Sequence, residues 1–289
     1  MRKKAKYGGP KAAEKPVEGR MKEFYRQSGE DKRHFYKGYR GKGILNAGFS
    51  ARFYKFGGIY LIYGNVRKGI FLRRPNRFVA YVDIDGAEEK VHVKNTGRCR
   101  ELLVPGAQVV LEEGLGEKRK TKYSITAVYK NGIIINMDSQ APNAAAAEAV
   151  LDGRIAEIGS VDILKREVKY LNSRFDIYYE AGSRKGFAEV KGVTLEKGGD
   201  VYFPDAPTDR GRKHLLELVK AAEEGYEASV IFIVQLKCGG VFRPNAETDP
   251  KFAEALRFAA QKGVNIIAYD CFVEENEMTV NKRVKVELE

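Results

Sequence analysis

The stretch SRFDIYYEAGSRKGFAEVKGVTL, Ser173–Leu195, decides how this chain is read. Two runs rich in aromatic and β-branched residues, Arg174–Glu180 and Gly186–Val193, flank Gly182-Ser183. The segment therefore reads as two antiparallel strands joined by a tight turn. Asp176 sits in the middle of the first strand, Glu189 and Lys191 in the second. Strand side chains alternate faces, so Glu189 and Lys191 share one, and Asp176 is placed to stand opposite them across the hairpin. Phe187, Ala188 and Val190 are apolar, which marks the second strand as central, and charges on a central strand need a reason. Two carboxylates at adjacent strand centres suit a hard divalent cation, Mg2+ or Mn2+, which takes oxygen ligands and keeps waters for a substrate phosphate. A lysine two residues on can orient a water and offset phosphate charge, the requirements for hydrolysing a phosphodiester. The plain alternative is an exposed ion pair worth under about 1 kcal/mol.

Outward from this hairpin, the C-terminal half (residues 144–289) alternates elements. Ala144–Leu151 reads as an Ala-rich helix with Asn143 as N-cap, followed by a strand over Val161–Tyr170 and then the hairpin. Thr208 or Asp209 caps a helix running to about Glu224. Glu227–Gln235 is a buried strand, Asp249–Lys262 a helix and Val264–Phe272 a strand. The order αβββαβαβ predicts a mixed sheet flanked by helices.

Residues 59–143 read differently. Val66–Arg73, Arg77–Asp83, Glu89–Lys94, Gln108–Glu113, Lys122–Lys130 and Gly132–Met137 are short strands punctuated by turn residues. Asn131-Gly132 is a strong hairpin signal. So many strands with almost no helix predict a small five-stranded Greek-key barrel of the oligonucleotide-binding (OB) kind, with an SH3-like barrel as the alternative. The fold class is thus two-domain: an all-β OB-like barrel followed by an α/β mixed sheet.

The 289 residues carry a net charge of +12, and the excess is uneven. Residues 1–58 hold 16 Lys/Arg against 5 Asp/Glu, while residues 59–289 are almost balanced. The first 58 residues have few aliphatics and read as a disordered extension: a solvated tail or a nucleic-acid arm with Tyr36 and Tyr39 available to stack. Three dispersed Cys exclude a disulfide scaffold and a zinc knuckle, and three His without close spacing exclude a histidine-rich metal site. No apolar run approaches membrane-spanning length. The expectation is a cytoplasmic protein.

At this point the second half resembles the PD-(D/E)xK nuclease superfamily, and the body from about residue 64 to 288 resembles the sugar fermentation stimulation protein A (SfsA) family. The strings that carry the likeness include Arg74-Pro75-Asn76-Arg77-Phe78, Asn95-Thr96-Gly97-Arg98, Arg119-Lys120-Thr121, Ser173-Arg174-Phe175-Asp176, Glu189-Val190-Lys191-Gly192-Val193-Thr194-Leu195 and Phe203-Pro204-Asp205-Ala206-Pro207-Thr208. Cys99 where the family usually has Met, and Leu171-Asn172 where a Gly precedes Ser-Arg, are departures that leave the carboxylates untouched. The resemblance implies an OB-like domain, a nuclease-like domain and DNA binding without strong sequence preference. Pro204-Asp205 is a literal "PD" but follows the Glu-x-Lys, so Asp176 is the expected functional aspartate.

The expected site has Asp176 and Glu189 as metal ligands and Lys191 acting on water and phosphate, with Glu148 or Glu167 as an auxiliary acid. Expected nucleic-acid contacts are Arg74, Arg77, Arg98, Arg119, Lys120 and Arg174, together with Arg210, Lys213 and His214 at a helix N-terminus, where unpaired N–H groups and the dipole favour phosphate. Phe71, Phe78, Tyr81 and Tyr123 stand near the barrel arginines, a single-strand or backbone-tracking combination. The partner is DNA, with the oligomeric state left open and a homodimer among the options. The rival reading is a non-catalytic DNA-binding or regulatory protein that keeps a nuclease fold. An oligosaccharide binder would predict exposed Trp, and there is none.

Overall fold

Short strands that each bury apolar side chains build the N-terminal barrel. The computed structural model describes residues 61–95, 97, 99–114 and 119–289, all within the unit Ser50–Glu289. The basic extension 1–58 and Arg98 lie outside the described residues, as do the expectations placed on them. After a two-residue strand β1 (Leu61–Ile62) come β2 (Val66–Arg73), β3 (Val79–Ile84) and β4 (Ala87–Val93), an antiparallel meander. β5 (Gln108–Glu113) returns to pair with β2, and β6 (Tyr123–Lys130) pairs with β5. The parallel register His92↔Ser124 then closes β4 on β6. The result is a closed five-stranded barrel in OB order rather than an SH3-like one, with β7 (Ile133–Asn136) appended to β6. Asn131 and Gly132 turn that last hairpin with φ of 51° and 78°, the left-handed pair that a twisted two-residue turn requires. Phe71, Val82, Val91, Leu111 and Ile125 fill the interior.

The second layer system begins with α1 (Ala141–Leu151), three residues earlier than the sequence suggested. Its N-cap is Gln140 without a side-chain bond. Asn143 is therefore inside the first turn, and Pro142 occupies an early position where a missing N–H costs nothing. β8 (Ile163–Tyr170), β9 (Ser173–Ala181) and β10 (Arg184–Val193) follow as antiparallel neighbours. β11 (Leu195–Lys197) and β12 (Asp200–Phe203) lead to α2 (Asp209–Glu223), β13 (Glu227–Val234), β14 (Val241–Pro244) and α3 (Pro250–Gln261). β15 (Asn265–Val273), β16 (Glu277–Arg283) and β17 (Lys285–Val286) complete the chain.

The main sheet runs β1-β16-β15-β13-β10-β9-β8, with β10, β13 and β15 parallel at its centre. β11, β12, β14 and β17 form a smaller sheet. Val230 and Phe232 of β13 pack with Leu215 and Leu218 of α2 and Phe252 of α3. The alternate Ile231 and Ile233 are equally buried on the opposite face, where α1 lies. Full burial of each such side chain contributes roughly 2–3 kcal/mol of transfer free energy. Leu61 pairs with Met278 of β16, so β1 belongs to the C-terminal sheet although the sequence division at 59–143 assigned it to the barrel.

A buried polar seam joins the two halves. Asn136 N–H donates to Gln235 O, Gln235 N–H to Val193 O, and Asn136 Nδ2 to the Tyr63 hydroxyl at 2.7 Å. Lys94 Nζ reaches Glu112 at 2.6 Å and Asp138 at 3.3 Å. Gln235 Nε2 also donates to Asn136 Oδ1 and Asp138 O, so side chains from both halves are tied together, and such a network fixes geometry.

Candidate active site

Asp176 and Glu189 meet where two strands part. The β9–β10 ladder ends at Ala188↔Ile177, one step before this pair, while β10 continues along β13 as far as Val193. The Val190 N–H, facing the vacated side, donates to Asp176 Oδ2 at 2.8 Å. Asn143 Nδ2, from the first turn of α1, donates to Asp176 Oδ1 at 2.7 Å. Asn143 is thus an aspartate-positioning group instead of the helix cap expected from its place before an Ala run.

Glu189 is buried, and both Lys191 Nζ and His214 Nδ1 contact its Oε1. Its Oε2 is buried with no hydrogen-bond partner. His214 comes from α2, which the Thr208 hydroxyl caps by accepting from Gly211 N at 3.0 Å. Arg210 Nε lies 3.5 Å from His214 Nε2 and donates to it, which leaves the Nδ1 proton for Glu189. The sequence placed His214 among phosphate contacts. The structure buries it, because Gly211, His214, Leu215 and Leu218 fall on one helical stripe that packs on the sheet. That stripe is the signal that finds His214 from sequence.

The two carboxylates are tuned apart. Burial lifts Asp176 to about 6, aided by the Glu189 charge and opposed by the Val190 N–H. Burial also pushes Glu189 up, but His214 and Lys191 together outweigh it and hold the carboxyl below its ordinary value. Among the described residues no three His, Cys, Asp or Glu side chains form a metal cage. The donor set nevertheless fits a hard cation: two carboxylates side by side, one of them with a buried oxygen that nothing satisfies.

The auxiliary acids fall on either side of this picture. Glu167 lies on β8, pairs with Arg174 at 2.9 Å, and its charge helps raise Asp176. Glu148 is directed elsewhere. Its Oε1 pairs with Arg154, whose other nitrogen donates to Val280 O on β16, and burial lifts its pKa to about 7. The helix that carries it reaches the site through Asn143 instead.

The expected cations divide. Arg74 is a structural staple, donating to the carbonyls of Asn76, Arg77, Asn95 and Gly97, so its guanidinium is committed to backbone and not to phosphate. Arg174 is engaged by Glu167, and Arg119 donates to Ser124 Oγ at 2.6 Å. Arg77, Lys120 and Arg210 are exposed, and exposed Lys213 donates to Asn172 O at 3.1 Å. Arg77 and Arg100 line a cleft of about 660 Å³ floored by Phe71, Leu103, Pro105 and Ala206. Phe71 and Tyr123 fill the barrel, whereas Phe78 is 56% exposed. Arg100 is one of the barrel arginines that the sequence sets near these aromatics.

Residues 72–137 match the family described as "SfsA N-terminal OB domain", and residues 140–277 match "Sugar fermentation stimulation protein RE domain". A "Sugar fermentation stimulation protein homolog" from Alkaliphilus oremlandii is 53% identical, with 78% of this chain and 98% of the relative covered. One from Clostridium beijerinckii is 51% identical at the same coverage. The solved structure described as "The structure of Pyrococcus Furiosus SfsA in complex with Ca2+" superposes with a TM-score of 0.72 at 32% identity, covering 79% of this chain and 99% of that one.

Proposed function

The chain belongs to the sugar fermentation stimulation protein family, and from that premise we propose that it binds DNA and hydrolyses phosphodiester bonds with Mg2+ or Mn2+. The observation that carries this reading is the orphaned Glu189 Oε2 beside Asp176, with the Lys191 ammonium on the neighbouring oxygen. Asp176 and Glu189 are the residues that would hold the cation. When bound, it supplies Lewis acidity toward a phosphoryl oxygen and a more acidic water. Asn143 and the Val190 N–H fix the Asp176 carboxylate, and His214 with Lys191 keeps Glu189 ionised. Lys191 Nζ stands where it can hydrogen-bond an attacking water and the phosphate oxygens on which negative charge grows. Arg77, Arg100, Lys120, Arg210 and Lys213 supply backbone contacts without sequence readout. A cation in the Pyrococcus furiosus structure's description agrees with this assignment.

One observation favours the second reading, a non-catalytic DNA-binding protein. The Lys191 ammonium and the His214 Nδ1–H both engage Glu189 Oε1, and such a set can serve as a structural ion network. Among the described residues no helix is long and apolar enough to cross a membrane, and the reading places the protein in the cytoplasm with nucleic acid. The test is calorimetric. Mn2+ titrated into the parent gives a binding isotherm that Asp176→Asn and Glu189→Gln weaken with the fold intact; equal binding by both variants removes the metal site. DNA affinity falls steeply with salt, by a log–log slope of several units, and a flat slope removes the electrostatic part.

A further inference from the structure

We propose that the small cleft at the seam of the two domains receives one unpaired nucleobase next to the reacting phosphate. The substrate is then a strand with an unpaired base and not an intact duplex. This rests on the nucleic-acid reading above and adds the substrate class.

The cleft holds about 130 Å³ and is walled by both halves of the molecule: Ser139 from the barrel side, Gly192 and Thr194 at the end of β10, Tyr202 and Phe203 of β12, and Gln235. That is far below the several hundred Å³ of a site for a drug-sized ligand, and it suits a single flat heterocycle. Phe203 is a rigid wall, since its ring packs on Phe232 and Phe252 at centroid distances of 5.5 and 5.2 Å. Gln235 is 2% exposed. Its Nε2 donates to Asn136 Oδ1 at 3.0 Å and Asp138 O at 3.1 Å, which spends both donors and fixes the amide plane. No described residue donates to its Oε1. That oxygen lies over Gly192, where a Cβ would approach it to 2.5 Å and Pro142 Cγ to 2.7 Å. Only glycine leaves the opening. A fixed amide acceptor, hydroxyls and a flat aromatic wall are the means by which an extruded base is read along its edge and face.

The cleft's position ties it to the reaction. Gly192 follows Lys191 directly, and Pro142 precedes Asn143, the donor to Asp176. The larger basic cleft shares Gly97 with it and is lined by Ala206, next to Asp205 on the rim of the small one. No described carboxylate pairs with Arg77 or Arg100. A strand laid along this path has phosphates on those arginines and one base in the seam. A paired base reaches it only by leaving the stack, which costs least where pairing is already absent.

The test is anisotropy binding of a labelled duplex and the same duplex carrying a one-base bulge, in Ca2+ without cleavage. The parent is expected to prefer the bulged duplex by about tenfold, the scale of one base–aromatic stacking interaction. Ser139→Tyr fills the opening and should bring the ratio near one. Tyr202→Ala, which removes a wall, should lower it too and serves if the first variant misfolds. A parent that binds both duplexes equally, with steep salt dependence, overturns the base pocket and leaves the nucleic-acid reading standing. A ratio that persists in a folded variant also overturns it. A parent that binds neither duplex overturns both readings.

Discussion

Glu189 and Glu148 are two buried glutamates on one sheet-and-helix body, each with an Oε2 that nothing satisfies. They end on opposite sides of their ordinary pKa. Glu148 has the Arg154 guanidinium as its ion-pair partner, and burial prevails, lifting it to about 7. Glu189 has His214 and Lys191, and the two donors overcome burial. Burial of a carboxylate therefore does not decide its charge; the number and type of donors do. Glu189 has Asp176 alongside at a point where two strands separate, whereas the carboxylate near Glu148, that of Asp152, is tied to the same Arg154. That combination makes Glu189 the candidate site residue and Glu148 a piece of architecture.

The largest effect expected from this contrast is on stability. Arg154→Met strands Glu148 without its cation and, at pH 9, where Glu148 with its pKa of about 7 is ionised in the parent, should cost about 3 kcal/mol or more, read by urea unfolding. A cost below about 1 kcal/mol would mean that Glu148 is simply protonated there. Next comes pH. The folded pKa of Glu148 is raised, so its contribution to stability is full below about 4.5 and is lost as pH rises through about 7, a change of roughly 3 kcal/mol. Glu148→Gln should flatten the stability curve across that window, and an unchanged slope would assign it to other groups. Asp176, raised to about 6, adds a loss of the same sign at lower pH, while Glu189 acts in the opposite sense.

A smaller effect sharpens the other half of the comparison. His214→Phe removes one of the two groups that hold Glu189 ionised, and Mn2+ affinity should fall about 10- to 100-fold, the usual scale for an outer partner of a ligand. Retained affinity would show that Lys191 alone suffices. The smallest is Thr208→Ala, which deletes the cap of the helix that delivers His214 and should cost about 1 kcal/mol. A thermal melt measures it, with Mn2+ affinity falling slightly if the helix start shifts.

Much of this was legible in sequence because it rests on local periodicity. Apolar and β-branched residues bounded by turn residues gave Val66–Arg73 and Gln108–Glu113 to the residue, and Glu189 and Lys191 share a face because strand geometry demands it. What was hidden depends on contacts distant in sequence. Leu61–Ile62 is too short to carry a period, and its sheet is set by β16, more than two hundred residues later. β16 itself was missed because its outer end, Asn281-Lys282-Arg283, is exposed and polar. Glu148 and Asn143 sit on one Ala-rich helix with almost no apolar asymmetry, so sequence could not say which faces the carboxylates. Arg74 reads as a phosphate contact until the loop carbonyls around it are seen.

The most direct measurement is single-turnover cleavage of DNA with Mn2+, for the parent and for Lys191→Ala, beside binding isotherms in Ca2+. Lys191 Nζ touches Glu189 and adjoins the proposed cation, so its loss removes charge stabilisation that matters most in the transition state. Cleavage should fall by about 10²-fold or more, with DNA affinity falling far less because one phosphate contact among several is lost. Lys191→Arg should not restore the rate, since the planar guanidinium differs in shape and does not lose its proton. Parallel losses in binding and cleavage would make Lys191 a backbone contact only. No cleavage by the parent on any substrate would contradict the catalytic reading and leave a DNA-binding protein on a nuclease-like fold.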